Sequence, residues 1–190
     1  MGPAGLSAFF ASFGFAYLAA TLLASAAGHL AALARFRDLV RSHAILPPRL
    51  VMPGVLGVLG FELVGGVAAL LFAVERRPPT APVVVLCAAS AVAGLAFVLY
   101  VRRLLRTVAA APCGCSPLSG PTTSASLVLG AALALVSVVA LAATVAQAAS
   151  GGEVEGIALV LAPAWGVTMA ALTMLVPASM PAPPAPATVR

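Results

Sequence analysis

The chain is 190 residues long, 62% of them hydrophobic and only 8% charged, with a mean hydropathy of +1.13. A soluble domain carries about 25% charged residues, so this chain lacks the groups to cover a water-facing surface, and the bilayer is its main solvent. Ten arginines and no lysine stand against five acids, a formal charge of +5. In a soluble protein that balance would suggest nucleic acid. Here the arginines flank apolar runs, the membrane-end pattern, and nucleic-acid binding is set aside.

A spanning helix needs about 20 apolar residues. The first run, Leu6 to Ala34, holds His29 as its one acid or base, and no Arg precedes Arg35. Without a basic start, and too long for a signal-peptide core, it is expected to be a retained transmembrane helix. The segment after it, "RFRDLVRSHAILPPRL", spaces Phe36, Leu39 and Val40 helically among Arg37, Arg41 and Ser42. It reads as a short interfacial helix, apolar side on the bilayer, stopped by Pro47 and Pro48.

The second run, Leu50 to Val74, carries Glu62 near its middle, among Gly54, Gly57, Gly60, Gly65 and Gly66, which permit close helix contact. The third, Pro82 to Val101, ends at "RRLLR". The fourth covers Ala125 to Ala149. The fifth, Ile157 to Val176, contains Pro163, expected to bend it or mark its first turn. The expected fold is therefore all-α, a polytopic transmembrane bundle of about five spans. One membrane domain over 1–177 is followed by a Pro-rich tail over 178–190.

Orientation follows from arginine placement. With five spans, Arg35, Arg37, Arg41, Arg49, Arg102, Arg103, Arg106 and Arg190 share one side, and Arg76 and Arg77 take the other. The positive-inside rule puts the eight-arginine side in the cytoplasm. The chain is expected in the plasma membrane, N-terminus outside and C-terminus cytoplasmic.

Four features hold candidate chemistry. No charge occurs between Arg106 and Glu153, although that stretch includes the loop "APCGCSPLSGP". Part of so uncharged a loop is expected to tuck against the bundle or re-enter the membrane. Cys113 and Cys115 flank Gly114 there. A disulfide across them would close a small, strained ring, which suits an exchanging redox pair better than a structural clip. A soft-metal site and two inert thiols are the competing readings. Glu62, at mid-bilayer, costs several kcal/mol unless protonated or paired, so it must face the interior and is a possible proton donor or acceptor. A plain helix-to-helix hydrogen bond is its alternative. His29 could partner Glu62, but their depths differ by an expected ~10 Å at about 1.5 Å per residue, which favours a local structural role. His43 is placed at the interface, solvated, and Cys87 is read as a small buried hydrophobe. Phosphate loops, Gly-x-Ser-x-Gly, His-Glu-x-x-His and Cys-x-x-Cys are absent, so hydrolase and nucleotide readings have no support. No cofactor or metal ligand set is legible; a quinone stays open.

"FRDLVRSHAILPPRL" after a first span, a Gly-rich second span with a central Glu, and "CGCSPLSG" after a third together resemble the MauE family. These are methylamine-utilisation membrane proteins grouped with DoxX-like redox-associated proteins. The resemblance covers roughly residues 5 to 176. Family loops often read Cys-Gly-Cys-Phe-Gly, where this chain has Ser116 and Pro117. The resemblance implies a four-helix DoxX-like core plus one helix. It implies a role in maturing the disulfide-rich small subunit of methylamine dehydrogenase beside a thioredoxin-like partner, MauD. By it, Cys113 and Cys115 are the thiol pair. The arginine count puts them on the cytoplasmic side, where thiols stay reduced. An extracytoplasmic role then requires a re-entrant loop or inverted topology. A small transporter or metal-handling protein and a non-catalytic membrane scaffold are the alternative functions.

Overall fold

The computed structural model describes residues 3–75, 78–107, 124–150 and 156–179. These residues form six helices and no strand: α1 (Pro3–Ala31), α2 (Leu33–Ser42), α3 (Pro48–Val74), α4 (Thr80–Thr107), α5 (Ser124–Ser150) and α6 (Gly156–Ser179). Helix is dictated by the solvent, since lipid cannot satisfy a backbone N–H or C=O and each must bond within its own segment. Several hydroxyls obey the same constraint. Ser137 donates to the Leu133 carbonyl, Thr144 to that of Ala140 and Thr168 to that of Ala164, each four residues back.

Four helices are long and apolar enough to cross a membrane: Gly5–Ala31, Pro48–Val74, Thr80–Arg106 and Ser126–Ser150. A shorter apolar stretch, Val160–Leu175, lies in α6. This is the expected all-α bundle of four spans plus one. Pro163 stands inside α6 rather than in its first turn. Val64, Val85, Leu135 and Val160 point outward, as lipid-facing side chains do.

α1 is the central helix, packed on α3, α5 and α6, while α4 packs mainly on α5. Phe15 of α1 meets Phe72 of α3 edge-on at 5.7 Å, inside a core that includes Tyr17, Leu18, Val83, Leu86 and Cys87. Tyr17 and Thr173 bring their hydroxyls to 3.1 Å, tying α1 to α6. A close crossing joins α4 to α5 at Gly94. A Cβ there would stand 2.7 Å from the Gly130 carbonyl oxygen and 2.9 Å from the Ala134 nitrogen, so the two backbones touch.

The glycines of α3 divide. A Cβ on Gly66 would meet Leu23 at 2.8 Å, and one on Gly65 would meet Leu22 at 3.3 Å. Gly57 and Gly60 face open space, and Gly54 has only ordinary contact with Leu46. The expectation of close contact at all five therefore holds for the last two. One helix offers a neighbour only one face, and Gly57 and Gly60 are on other faces.

Candidate functional site

α2 carries Phe36, Leu39 and Val40 on one side and Arg35, Arg37, Asp38 and Arg41 outside it. Arg37 donates to its neighbour Asp38 at 2.7 Å in an exposed pair, a contact worth at most about 1 kcal/mol. The helix ends at Ser42, and Ala44 turns the chain in the left-handed region at φ 51°. Pro47 and Pro48 then start α3, where a proline costs no hydrogen bond. The apolar side of α2 is half-buried against the bundle. It walls a cavity of about 550 Å³, which α1, α3, α4 and α5 complete.

The cavity's polar groups come from three helices. On α1, Thr21, Ser25 and His29 recur every four residues, a spacing that aligns them on one helix face, and all three line the cavity. On α3, Glu62 is buried, and its Oε2 lies 2.8 Å from His29 Nδ1. Either the imidazole N–H donates to the carboxylate or a carboxylic O–H donates to the imidazole. Phe36 of α2 stacks on the His29 ring with centroids 3.9 Å apart, fixing the plane in which that bond forms. On α4, Tyr100 hydrogen-bonds His43 Nδ1.

Two expectations are corrected here. His29 is the partner of Glu62, not a local structural residue. The depth estimate assumed that α1 runs to the membrane surface level with the start of α3. The antiparallel pairs Phe15–Phe72, Leu23–Gly66 and His29–Glu62 show another register. α1 stops opposite the middle of α3, and α2 covers the remaining half. His43 is buried against Tyr100, not solvated, because the turn after α2 folds it inward under α4.

Cys87 packs in the apolar core, 1% exposed, and does not line the cavity. Cys113 and Cys115 lie outside the described residues. α4, which precedes their loop, ends seven residues beyond Tyr100, and α5, which follows it, lines the cavity with Leu129, Gly130 and Leu133. Among the described residues, no three His, Cys, Asp or Glu side chains gather as a metal site.

Apolar helices of spanning length with outward-facing Leu and Val define a multi-pass membrane protein, here one with a cavity between its helices. The sequence profile of one family, methylamine utilisation protein MauE, matches residues 7–143. The chain belongs to that family. The matched stretch includes every residue that lines the cavity and stops within α5. α6 lies beyond the matched stretch. No curated protein and no solved structure matches the chain.

Proposed function

We propose that the chain supports thiol–disulfide exchange or electron transfer in the maturation of extracytoplasmic proteins, with Cys113 and Cys115 as the working pair. The observation that carries this reading is the Cys-Gly-Cys within the stretch matched to the family. A partner thiolate attacks one sulfur of the disulfide, a mixed disulfide forms, and the partner attacks again to leave with the oxidising equivalent. Run in reverse, the second cysteine resolves the mixed disulfide. Arg102, Arg103 and Arg106 precede the loop, and positive charge near a thiol favours the reactive thiolate. A thioredoxin-like protein is the natural partner. Each turnover moves protons, and the His29–Glu62 pair, 2.8 Å apart in an apolar wall, suits holding and passing one. Residues 1–177 act in this reading as one membrane domain, with 178–190 as a tail, and the arginines orient the N-terminus outward.

The buried pair beside a chamber also fits a small transporter, and one experiment separates the two. Cys113→Ser and Cys115→Ser are made singly. One of them should accumulate a reductant-sensitive mixed disulfide with a thioredoxin-fold protein, and the double variant should lose client maturation. If neither traps a partner and the double variant matures client normally, the redox reading is wrong.

A further inference from the structure

We infer that the cavity lined by α1 to α5 binds a membrane-soluble quinone, its ring beside the His29–Glu62 pair. The volume of about 550 Å³ falls in the range of small-molecule sites, roughly 300–1,000 Å³. The wall chemistry selects the occupant. Phe36, Phe61 and Phe97 offer aromatic faces, and among the described residues no arginine or lysine lines the space, so an anionic solute would find no arginine or lysine to pair with there. An acyl chain would use none of the polar groups. Thr21, Ser25, His29 and Glu62 instead present hydroxyls and a shared proton to a largely apolar chamber, whose other polar side chains are the hydrogen-bonded His43 and Tyr100. A planar ring with carbonyl oxygens, which takes up protons as it is reduced, uses both the aromatic walls and the proton. The chamber is also long enough. Gly54 and Glu62 both line it, and eight residues of helix span roughly 12 Å at about 1.5 Å per residue, room for a ring and the first part of its isoprenoid tail.

The chemistry deepens the thiol reading and rests on it for the source of electrons. Cys113 and Cys115 lose two S–H bonds and gain one S–S bond. Two electrons and two protons pass to the quinone, which becomes the quinol, with each proton ending on a ring oxygen. The His29–Glu62 pair supplies a proton at the wall and is recharged from the protons the thiols release.

Binding is measured apart from turnover. The full chain in phosphatidylcholine nanodiscs is titrated with decylubiquinone and, separately, menadione, and bound quinone is counted after washing. At least one of the two should saturate near one per chain. Gly57→Leu places a side chain where no atom lies within 4 Å of the Cβ, and Val58→Phe thickens the same wall. Each should weaken binding at least ten-fold with helicity unchanged, while Cys113→Ser/Cys115→Ser binds as the wild type does. Loss of disulfide trapping with binding intact removes the thiol reading and leaves the site standing. Uptake by the wild type that never saturates for either compound overturns the inference, whatever the variants do. Saturable binding indifferent to both wall substitutions also overturns it.

Discussion

The His29–Glu62 pair makes the sharpest test of the packing. His29→Phe keeps the ring that stacks on Phe36 at 3.9 Å and removes the nitrogen 2.8 Å from Glu62. Glu62→Met keeps most of the volume and removes the carboxylate. In a soluble core, breaking a buried ion pair costs about 3–5 kcal/mol, because a charge is stranded. Within a bilayer, polar contacts between helices measure less, averaging about 0.6 kcal/mol and reaching about 1.7. The lower scale should therefore govern, enlarged by the 7% exposure of both residues, which keeps water from replacing the lost partner. Each single substitution is expected to cost about 1–3 kcal/mol, the penalty for a buried group deprived of its bond. The double variant should cost less than the sum, with a coupling of about 1–2 kcal/mol, since two apolar groups strand nothing. Unfolding by dodecyl sulfate in mixed micelles, followed by circular dichroism, gives all four corners of the cycle. Additivity within about 0.5 kcal/mol would mean that the pair is not coupled, and the assignment of Glu62's partner would fail.

Two further outcomes follow from the glycines and the arginines. Gly94→Ala should destabilise the bundle by about 1–3 kcal/mol in the same assay, because its Cβ would stand 2.7 Å from the Gly130 carbonyl oxygen. Gly57→Ala, which meets nothing within 4 Å, should instead be neutral or stabilise by up to about 1 kcal/mol through helix propensity. A reporter fused after Arg190 should be active in the cytoplasm, as the eight-to-two division of arginines requires. Activity on the outer side would invert the orientation and move the Cys-Gly-Cys outward.

What the sequence disclosed depended on the range of the interaction. Span positions came through within a few residues, because hydrocarbon thickness acts on each run independently: Leu50 to Val74 against Pro48–Val74, Ala125 to Ala149 against Ser124–Ser150. Glu62 stood out because a carboxylate in such a run is costly wherever its neighbours are. Its partner did not. Finding His29 required the register of α1 on α3, and that register depends on the break at Ala32, where no proline or glycine marks the chain. The four-residue recurrence of Thr21, Ser25 and His29 was a usable local signal, since three polar residues on one face of a spanning helix must face protein or a cavity. His43 was misplaced because its place at the interface suggested water, while the inward turn at Ala44 is invisible in hydropathy. The chamber is a property of five helices at once and has no sequence signature.

Why the chamber lies where it does can be argued from the crossings on either side of it. Gly66 lets α3 close on Leu22 and Leu23 of α1, and Gly94 with Gly130 lets α4 close on α5. α1 also packs on α5, so both pairs are fixed to a common frame. α3 and α4 touch each other only sparsely. They meet the frame through their small-residue faces and leave each other apart, and the gap between them is the cavity. A Cβ or larger side chain at Gly94 would loosen α4 without filling that gap, whereas one at Gly57 would fill the gap without loosening α3. α2 completes the arrangement. Too short and too polar to span, it places Phe36, Leu39 and Val40 along the opening that α1 leaves by stopping opposite the middle of α3. The buried acid is thereby screened from lipid by a ring stacked on its own partner. Polar groups that would be costly on an outer face are held against this cavity.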